Sequence, residues 1–193
     1  MQISTKQIIN LKRPELKTDI IDVLKKRFSP RVFSKEKVKN EDLKKMFEAA
    51  RWSPSAFNSQ PWLFYYVENN TTGFEKITNT LTAGNSWAKK APLLILCCYN
   101  DRTSYGKNPY AKYDLGQAVF SLVVQAQTLG YYVHQMAGFD KEKIKQNLGI
   151  KEPIIPLVLI AVGKIGDYEK TDKKITQGDF QKRERKEIIY IKI

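Results

Sequence analysis

EAARWSPSAFNSQPW, residues 48–62, holds the transition on which the fold turns. A helical repeat runs into Ser53-Pro54, where the proline stops it. The polar loop Ser55 to Gln60 follows, and Trp62 opens a run to Val67 dense in aromatic and β-branched residues. Upstream, Leu43, Met46, Phe47 and Ala50 recur at helical spacing, Asn40 is a candidate N-cap, and Glu41 and Asp42 suit a first turn. The pattern predicts a helix over Glu41–Trp52, a loop pinned between two prolines, and a buried strand. Such a loop can be an ordinary connection, or it can read the edge of a polar heterocycle.

Moving outward, Leu93 to Tyr99 and Leu157 to Val162 are continuous apolar runs, as central strands covered on both faces should be. Both are assigned to one sheet. Between them Leu115, Ala118, Val119, Leu122, Ala126 and Leu129 trace a helical stripe from Asp114, closed by Gly130 as the C′ residue. A shorter helix runs from an Asp140 N-cap to Leu148 and ends at Gly149. Near the N-terminus, Asp19 to Phe28 reads as a helix with Ile20, Ile21 and Leu24 inward, stopped by Pro30. Tyr168 to Lys186 is polar and charged, a linker or arm, and Ile188 to Ile193 has strand character without an adjacent hairpin partner. That tail is expected to pair with another subunit's sheet.

At 193 residues with 42% hydrophobic content, the chain is long enough for one sizeable core, so a single domain over 1–193, with a C-terminal arm from about 168, is expected. Its apolar runs fall short of the roughly 20 residues needed to cross a bilayer. Met1 to Thr18 lacks the apolar block of a secretory signal, which points to a cytoplasmic protein with no membrane partner. Cys97 and Cys98, the only cysteines, are adjacent within an apolar run and read as core residues. One histidine and no spaced Cys/His cluster imply no metal site. Lysine and arginine number 33 against 20 acids, a net charge of +13, which calls for an anionic partner without choosing between phosphates and nucleic acid. The lysines are scattered rather than interleaved with exposed aromatics, so a nucleic-acid or polyanion module is a remote alternative.

Three constellations carry chemistry. Arg27-x-Ser29-x-Arg31 offers two guanidinium forks and a hydroxyl, suited to a phosphate monoester or to a solvated basic turn. Lys182-Arg183-x-Arg185-Lys186 is a second basic set able to converge on the same anion. The small residues of His134-Gln135-Met136-Ala137-Gly138-Phe139-Asp140 would let backbone N–H groups approach a planar ligand, while a lone histidine such as His134 is more often structural than a proton-transfer group. No catalytic triad order, nucleotide-binding glycine motif or carboxylate pair is present, which disfavours hydrolase and kinase readings.

Taken in order, RFSPRVF (27–33), EAARWSPSAFNSQPW (48–62), GNSWAKKAP (84–92), YDLGQA (113–118), HQMAGFD (134–140) and RERK (183–186) resemble the nitroreductase family, over roughly residues 20 to 190. The resemblance implies an α+β fold with a central, mainly antiparallel sheet flanked by helices. It also implies a homodimer with FMN at the interface and a C-terminal strand extending onto the partner subunit. By the same likeness Arg27, Phe28, Ser29 and Arg31, with Arg183 and Arg185, would hold the FMN phosphate and ribityl chain. Pro54, Ser55, Ala56 and Asn58 match the loop reaching the flavin from the other subunit, and Gln135, Met136, Ala137 and Gly138 match the segment beside the ring. Asn85 matches the asparagine at the ring's polar edge, with Lys89 a weaker candidate.

The implied activity is hydride transfer from NADPH or NADH through FMN to a small acceptor such as a nitroaromatic or quinone, by a ping-pong mechanism. The cofactor performs the redox step and no side chain need act as acid or base. Phe28 departs from the arginine or histidine frequent at that place, and the chain is too short for elaborate substrate-closing elements, leaving the acceptor open. A flavin-binding sensor or store, and a reductive dehalogenase or flavin-fragmenting relative, are the alternatives on the same fold.

Overall fold

The computed structural model describes residues 3–193. In chain order the elements are α1 (Thr5–Leu11), α2 (Asp22–Lys26), α3 (Asn40–Arg51), β1 (Trp62–Glu68), α4 (Thr72–Thr78), β2 (Leu93–Asn100), the small hairpin β3 (Arg102–Thr103) and β4 (Gly106–Lys107), α5 (Ala111–Thr128), β5 (Tyr132–Met136), α6 (Lys141–Leu148), β6 (Ile154–Gly163) and α7 (Lys173–Thr176). Four strands form one sheet in the order β1-β2-β6-β5, every neighbouring pair antiparallel. The expected α+β architecture is what the chain adopts.

The period of two along β2 explains how one strand serves two cores. Leu93, Ile95, Cys97 and Tyr99 pack with Leu43, Met46, Leu115, Leu122 and their neighbours from α3 and α5. Leu94, Leu96 and Cys98 pack on the other face with Phe74, Ile77, Ile144 and Trp87. Leu93 through Tyr99 are each at most 5% exposed, so the continuous apolar run is a strand covered on both faces. A register shift between Cys97 and Cys98 sets Cys97 opposite Val158 and Cys98 opposite Pro156. That irregularity accommodates Pro156, which has no N–H to give the ladder, inside a central strand.

Gly130, at φ +81°, follows the cap residue Leu129 of α5, and Gly149, at φ +66°, closes α6, both in a conformation that suits glycine. Asp140 caps α6 by accepting from the Lys143 N–H at 2.9 Å. Among the described residues no helix is long and apolar enough to cross a membrane.

Four expectations need correction. α3 begins at Asn40 itself, and the cap position is Lys39, which makes no side-chain capping bond. α5 starts at Ala111, ahead of the Asp114 start read from the stripe, so Asp114 lies inside its first turn and is buried. The helix expected over Asp19–Phe28 is confined to Asp22–Lys26, and Ile20 and Ile21 are 40% and 64% exposed, because the chain enters that turn extended and outside the core. Tyr168 to Lys186 is more than a linker: it contains α7, and Tyr168 and Asp179 are buried. Ile188 to Ile193 forms no strand within the chain and is exposed throughout, leaving its apolar side chains without a covering surface. α1 was not foreseen, although Ser4 and Gln7 form the reciprocal capping box that marks its start.

Candidate functional site

The segment Arg27 to Arg31 leaves the end of α2 and is fastened at two points. Phe28 is 4% exposed and meets Tyr132 edge-on, ring centres 5.0 Å apart. The Pro30 carbonyl lies 2.9 Å from His134 Nδ1. A carbonyl can only accept, so Nδ1 carries the proton and the neutral ring's lone pair resides on Nε2. Burial holds the His134 pKa below its ordinary value, the bonds to the Pro30 and Ser29 backbone and the charge of Asp179 opposing it only in part. The Trp87 ring centre lies 4.4 Å away. His134 therefore ties the basic segment to β5, in line with the structural reading of a lone histidine.

Arginine positions come from three chain segments. Arg27 is half-buried, its pKa lowered by burial and then by Arg185. Arg183 donates from Nη1 to the carbonyls of Lys25 at 2.8 Å and Lys12 at 3.2 Å, sitting on the carbonyl end of α2. Its pKa is lowered by burial and by both Arg27 and Arg185. Arg27, Arg183 and Arg185 share a cavity of about 700 Å³ with Leu24 and Phe120. Carboxylates on the same wall are already engaged, Glu15 by Lys182 at 2.8 Å and Glu187 by Lys17. Among the described residues these three arginines have no carboxylate partner. Three guanidiniums clustered without carboxylate partners form a site for a strong anion.

Arg31 belongs to the same basic region through Lys12, whose pKa burial lowers, with Asp179 opposing and Arg183 and Arg31 adding to the depression. The Arg31 N–H donates to Asp179 Oδ2 at 2.9 Å, and Gly178 lies so close to the guanidinium that a Cβ there would overlap it. Ser29 is exposed beside these groups in sequence.

β5 ends at Met136 and delivers the second part of the site. The Gly138 carbonyl accepts from Asn85 Nδ2 at 3.0 Å, from Thr82 Oγ1 at 3.0 Å and from the Thr82 N–H at 3.1 Å. The structure thus brings Asn85 to the segment named with it. Gln135 and Ala137 are exposed, whereas Met136 is 3% exposed and packs in the core. The side chains of Phe28 and Met136 pack in the core, so at these two positions it is the main chain that is free to meet a ligand. Lys89 lies with Lys35 and Lys90 on a different cavity from the arginines.

The 54–60 loop stands apart. Its 3-10 turn Ala56–Asn58 places Phe57 and Asn58 at positive φ, +52° and +54°, with Phe57 fully exposed. Asp114 Oδ2 accepts the Ala56 N–H at 3.2 Å, and Ser53 and Ser121 share a 2.7 Å bond, fixing the loop on α5. Pro54, Ser55, Ala56 and Asn58 share no hydrogen bond with the 27–31, 135–138 or 183–185 segments of the same chain.

The nitroreductase family model matches residues 24–79 and 71–164, which takes in the 27–31, 54–60 and 134–140 segments together. The chain belongs to the nitroreductase family. A 15.4 kDa protein of Mycolicibacterium smegmatis is 35% identical to this nitroreductase-family chain over 112 residues, 58% of this chain and 76% of that one. An Archaeoglobus fulgidus protein named provisionally as an NADH dehydrogenase/NAD(P)H nitroreductase is 26% identical, covering 79% of this chain and 87% of its own. Among solved structures, an oxidoreductase containing FMN superposes with a TM-score of 0.82 at 30% identity, covering 88% of this chain and 89% of that chain.

Sequence reasoning passed over Asp179, Tyr168 and Lys12: Asp179 joins Arg31, 148 residues away, to Tyr168, and the Lys12 carbonyl accepts from Arg183. Asp114, read only as a helix start, is the loop's anchor. Local pattern carries no signal for either role.

Proposed function

We propose that this nitroreductase-family oxidoreductase binds FMN and passes hydride from NADPH or NADH to a small acceptor such as a nitroaromatic or quinone. The observation that carries the reading is the cavity where Arg27, Arg183 and Arg185 converge, its two carboxylates, Glu15 and Glu187, being paired with lysines instead. A phosphate monoester supplies the dianion that this donor set lacks, through charge-assisted bonds. Arg31 and Ser29, held beside His134 and Asp179, would continue the contacts along the cofactor, and the main chain at Ala137 and Gly138, with Asn85, would lie against its ring.

Bound there, FMN supplies the two-electron chemistry. The protein's own part is binding and orientation: the arginines neutralise the phosphate, the His134–Pro30 bond sets the basic segment against β5, and Asn85 and Thr82 fix the Gly138 carbonyl. Donor and acceptor are proposed to use one open face in turn, giving ping-pong kinetics. The exposed Phe57 loop and the Ile188 to Ile193 tail are proposed to cover, and be covered by, a second copy, so that Pro54 to Asn58 complete the partner's cofactor site. The chain would act as a single FMN-binding unit within that homodimer.

The test is the visible spectrum of the purified protein with FMN, followed by NADPH or NADH added without oxygen. Bleaching of the flavin band, restored by a quinone or nitroaromatic, supports the activity. A protein that neither retains nor takes up FMN contradicts it.

A further inference from the structure

A second cavity of about 700 Å³ shares no lining residue with the arginine cavity. Lys35, Lys37, Lys89, Lys90 and Lys170 line it, against one carboxylate, Asp167. Phe33 and Pro92 provide its apolar wall.

Three chain segments supply these lysines, and each segment is tied down. Ser34, next to Lys35, donates its N–H to the Lys164 carbonyl at 2.9 Å. Asn69 Nδ2 donates to the carbonyls of Ala91 at 3.0 Å and Lys89 at 3.3 Å, and the Asn69 N–H reaches the Pro92 carbonyl at 2.9 Å. Asp167 Oδ1 accepts from the N–H groups of Glu169 at 2.9 Å and Lys170 at 3.3 Å, closing the turn that bears Lys170. The lysine backbones are therefore held in place while their ammonium groups stay free to adjust.

Charge balance is the second observation. Asp167 is already paired with Lys170 at 3.3 Å, and Lys37 approaches Glu68 only at 3.9 Å. Lys35, Lys89 and Lys90 form no ion pair among the described residues. Gathering unpaired like charges around one concavity disfavours the compact chain unless an anion enters. An excess of four positive charges exceeds what a single carboxylate neutralises, and lysine, a compact ammonium on a flexible stem, suits phosphate oxygens.

We propose that this cavity binds an oligophosphate, either inorganic or as the phosphate chain of a nucleotide, separately from the arginine site. The inference is independent of the FMN reading, since it rests on other residues.

Isothermal titration of the whole protein with inorganic triphosphate in about 0.1 M salt, where free surface charges are screened beyond roughly 10 Å, tests it. Saturable binding is expected, weakened roughly tenfold or more in Lys35→Ala/Lys90→Ala, an amount equal to about 1.4 kcal/mol. The same binding should persist in Lys141→Ala/Lys143→Ala, which removes equal charge from α6, and in Arg27→Ala/Arg185→Ala, which removes two of the three arginines from the other cavity. A parallel titration with ATP separates the sources: tighter binding than triphosphate identifies a nucleotide, equal binding the phosphate chain alone. Absence of saturable binding, equal weakening by both lysine pairs, or loss in the arginine variant overturns the proposal.

Discussion

The Tyr168 phenol donates to Asp179 Oδ2 at 2.6 Å, and that same oxygen receives the Arg31 N–H at 2.9 Å. One buried carboxylate oxygen thus locks the C-terminal segment to the basic loop after α2. The pairing also pushes the Tyr168 pKa far up, with burial the first cause and Asp179 the second, so the phenol stays a donor. Tyr168→Phe should cost about 1–3 kcal/mol, because a buried acceptor loses a donor. For a chain of this size each kcal/mol lowers the melting temperature by roughly 2–4 °C. An unchanged melting curve would show that the contact is dispensable.

Gly138 is expected to be intolerant of any side chain. A Cβ there would sit 2.6 Å from Asn85 Nδ2 and 2.7 Å from Thr82 Oγ1, displacing the groups that hold its own carbonyl. Gly138→Ala should destabilise by about 1–3 kcal/mol through overpacking and weaken FMN retention. Denaturant unfolding and a flavin titration read the two effects separately, and wild-type values in both would remove the 135–138 segment from the site.

His134 gives a clean pH dependence, being the only histidine. Burial holds its folded pKa below the ordinary 6.5 it regains on unfolding, so the unfolded chain takes up the proton first. The stability this neutral ring represents is complete above about pH 6.5 and is lost as pH falls from there toward the lowered folded value. Glu48, held down to about 2 by Arg51 and Trp52, titrates too low to interfere. Urea midpoints at pH 7.5 and 5.5 should separate more in the wild type than in His134→Gln. Equal separations would contradict a neutral, buried imidazole.

Cys97 and Cys98 are fully buried in β2, and burial raises both thiols, Cys98 to about 12. Thiolate, the reactive form, is scarce at pH 8. Neither should react with a disulfide reagent in the native protein, and both should react in guanidinium. Rapid native labelling would place them outside the core.

What the sequence disclosed follows from the range of the forces involved. β2, β6, α5 and the caps at Asp140, Gly130 and Gly149 were legible, because periodicity and capping act within a few residues. The basic sets around Arg27 and Arg183 were visible as composition and the family resemblance set them on one anion, while the cavity they share appears only in the fold. The motifs at Phe28 and Met136 do not say which way a side chain faces at the end of a helix or strand, so the burial of both appears only in the fold. Tyr168 and Asp179 look like ordinary polar residues of a charged arm until the chain returns over Arg31. Ile20, Ile21 and the Ile188 to Ile193 tail keep apolar surface exposed, so their sequence pattern has no intrachain answer.

The most direct measurement compares FMN with riboflavin, which lacks the phosphate, in binding to the wild type and to Arg27→Ala. FMN should bind far more tightly than riboflavin, and Arg27→Ala should remove about 1.5–3 kcal/mol of that preference while leaving riboflavin affinity unchanged. Equal affinity for FMN and riboflavin in the wild type, or an Arg27→Ala variant that keeps the full preference, would contradict a phosphate site built from Arg27, Arg183 and Arg185.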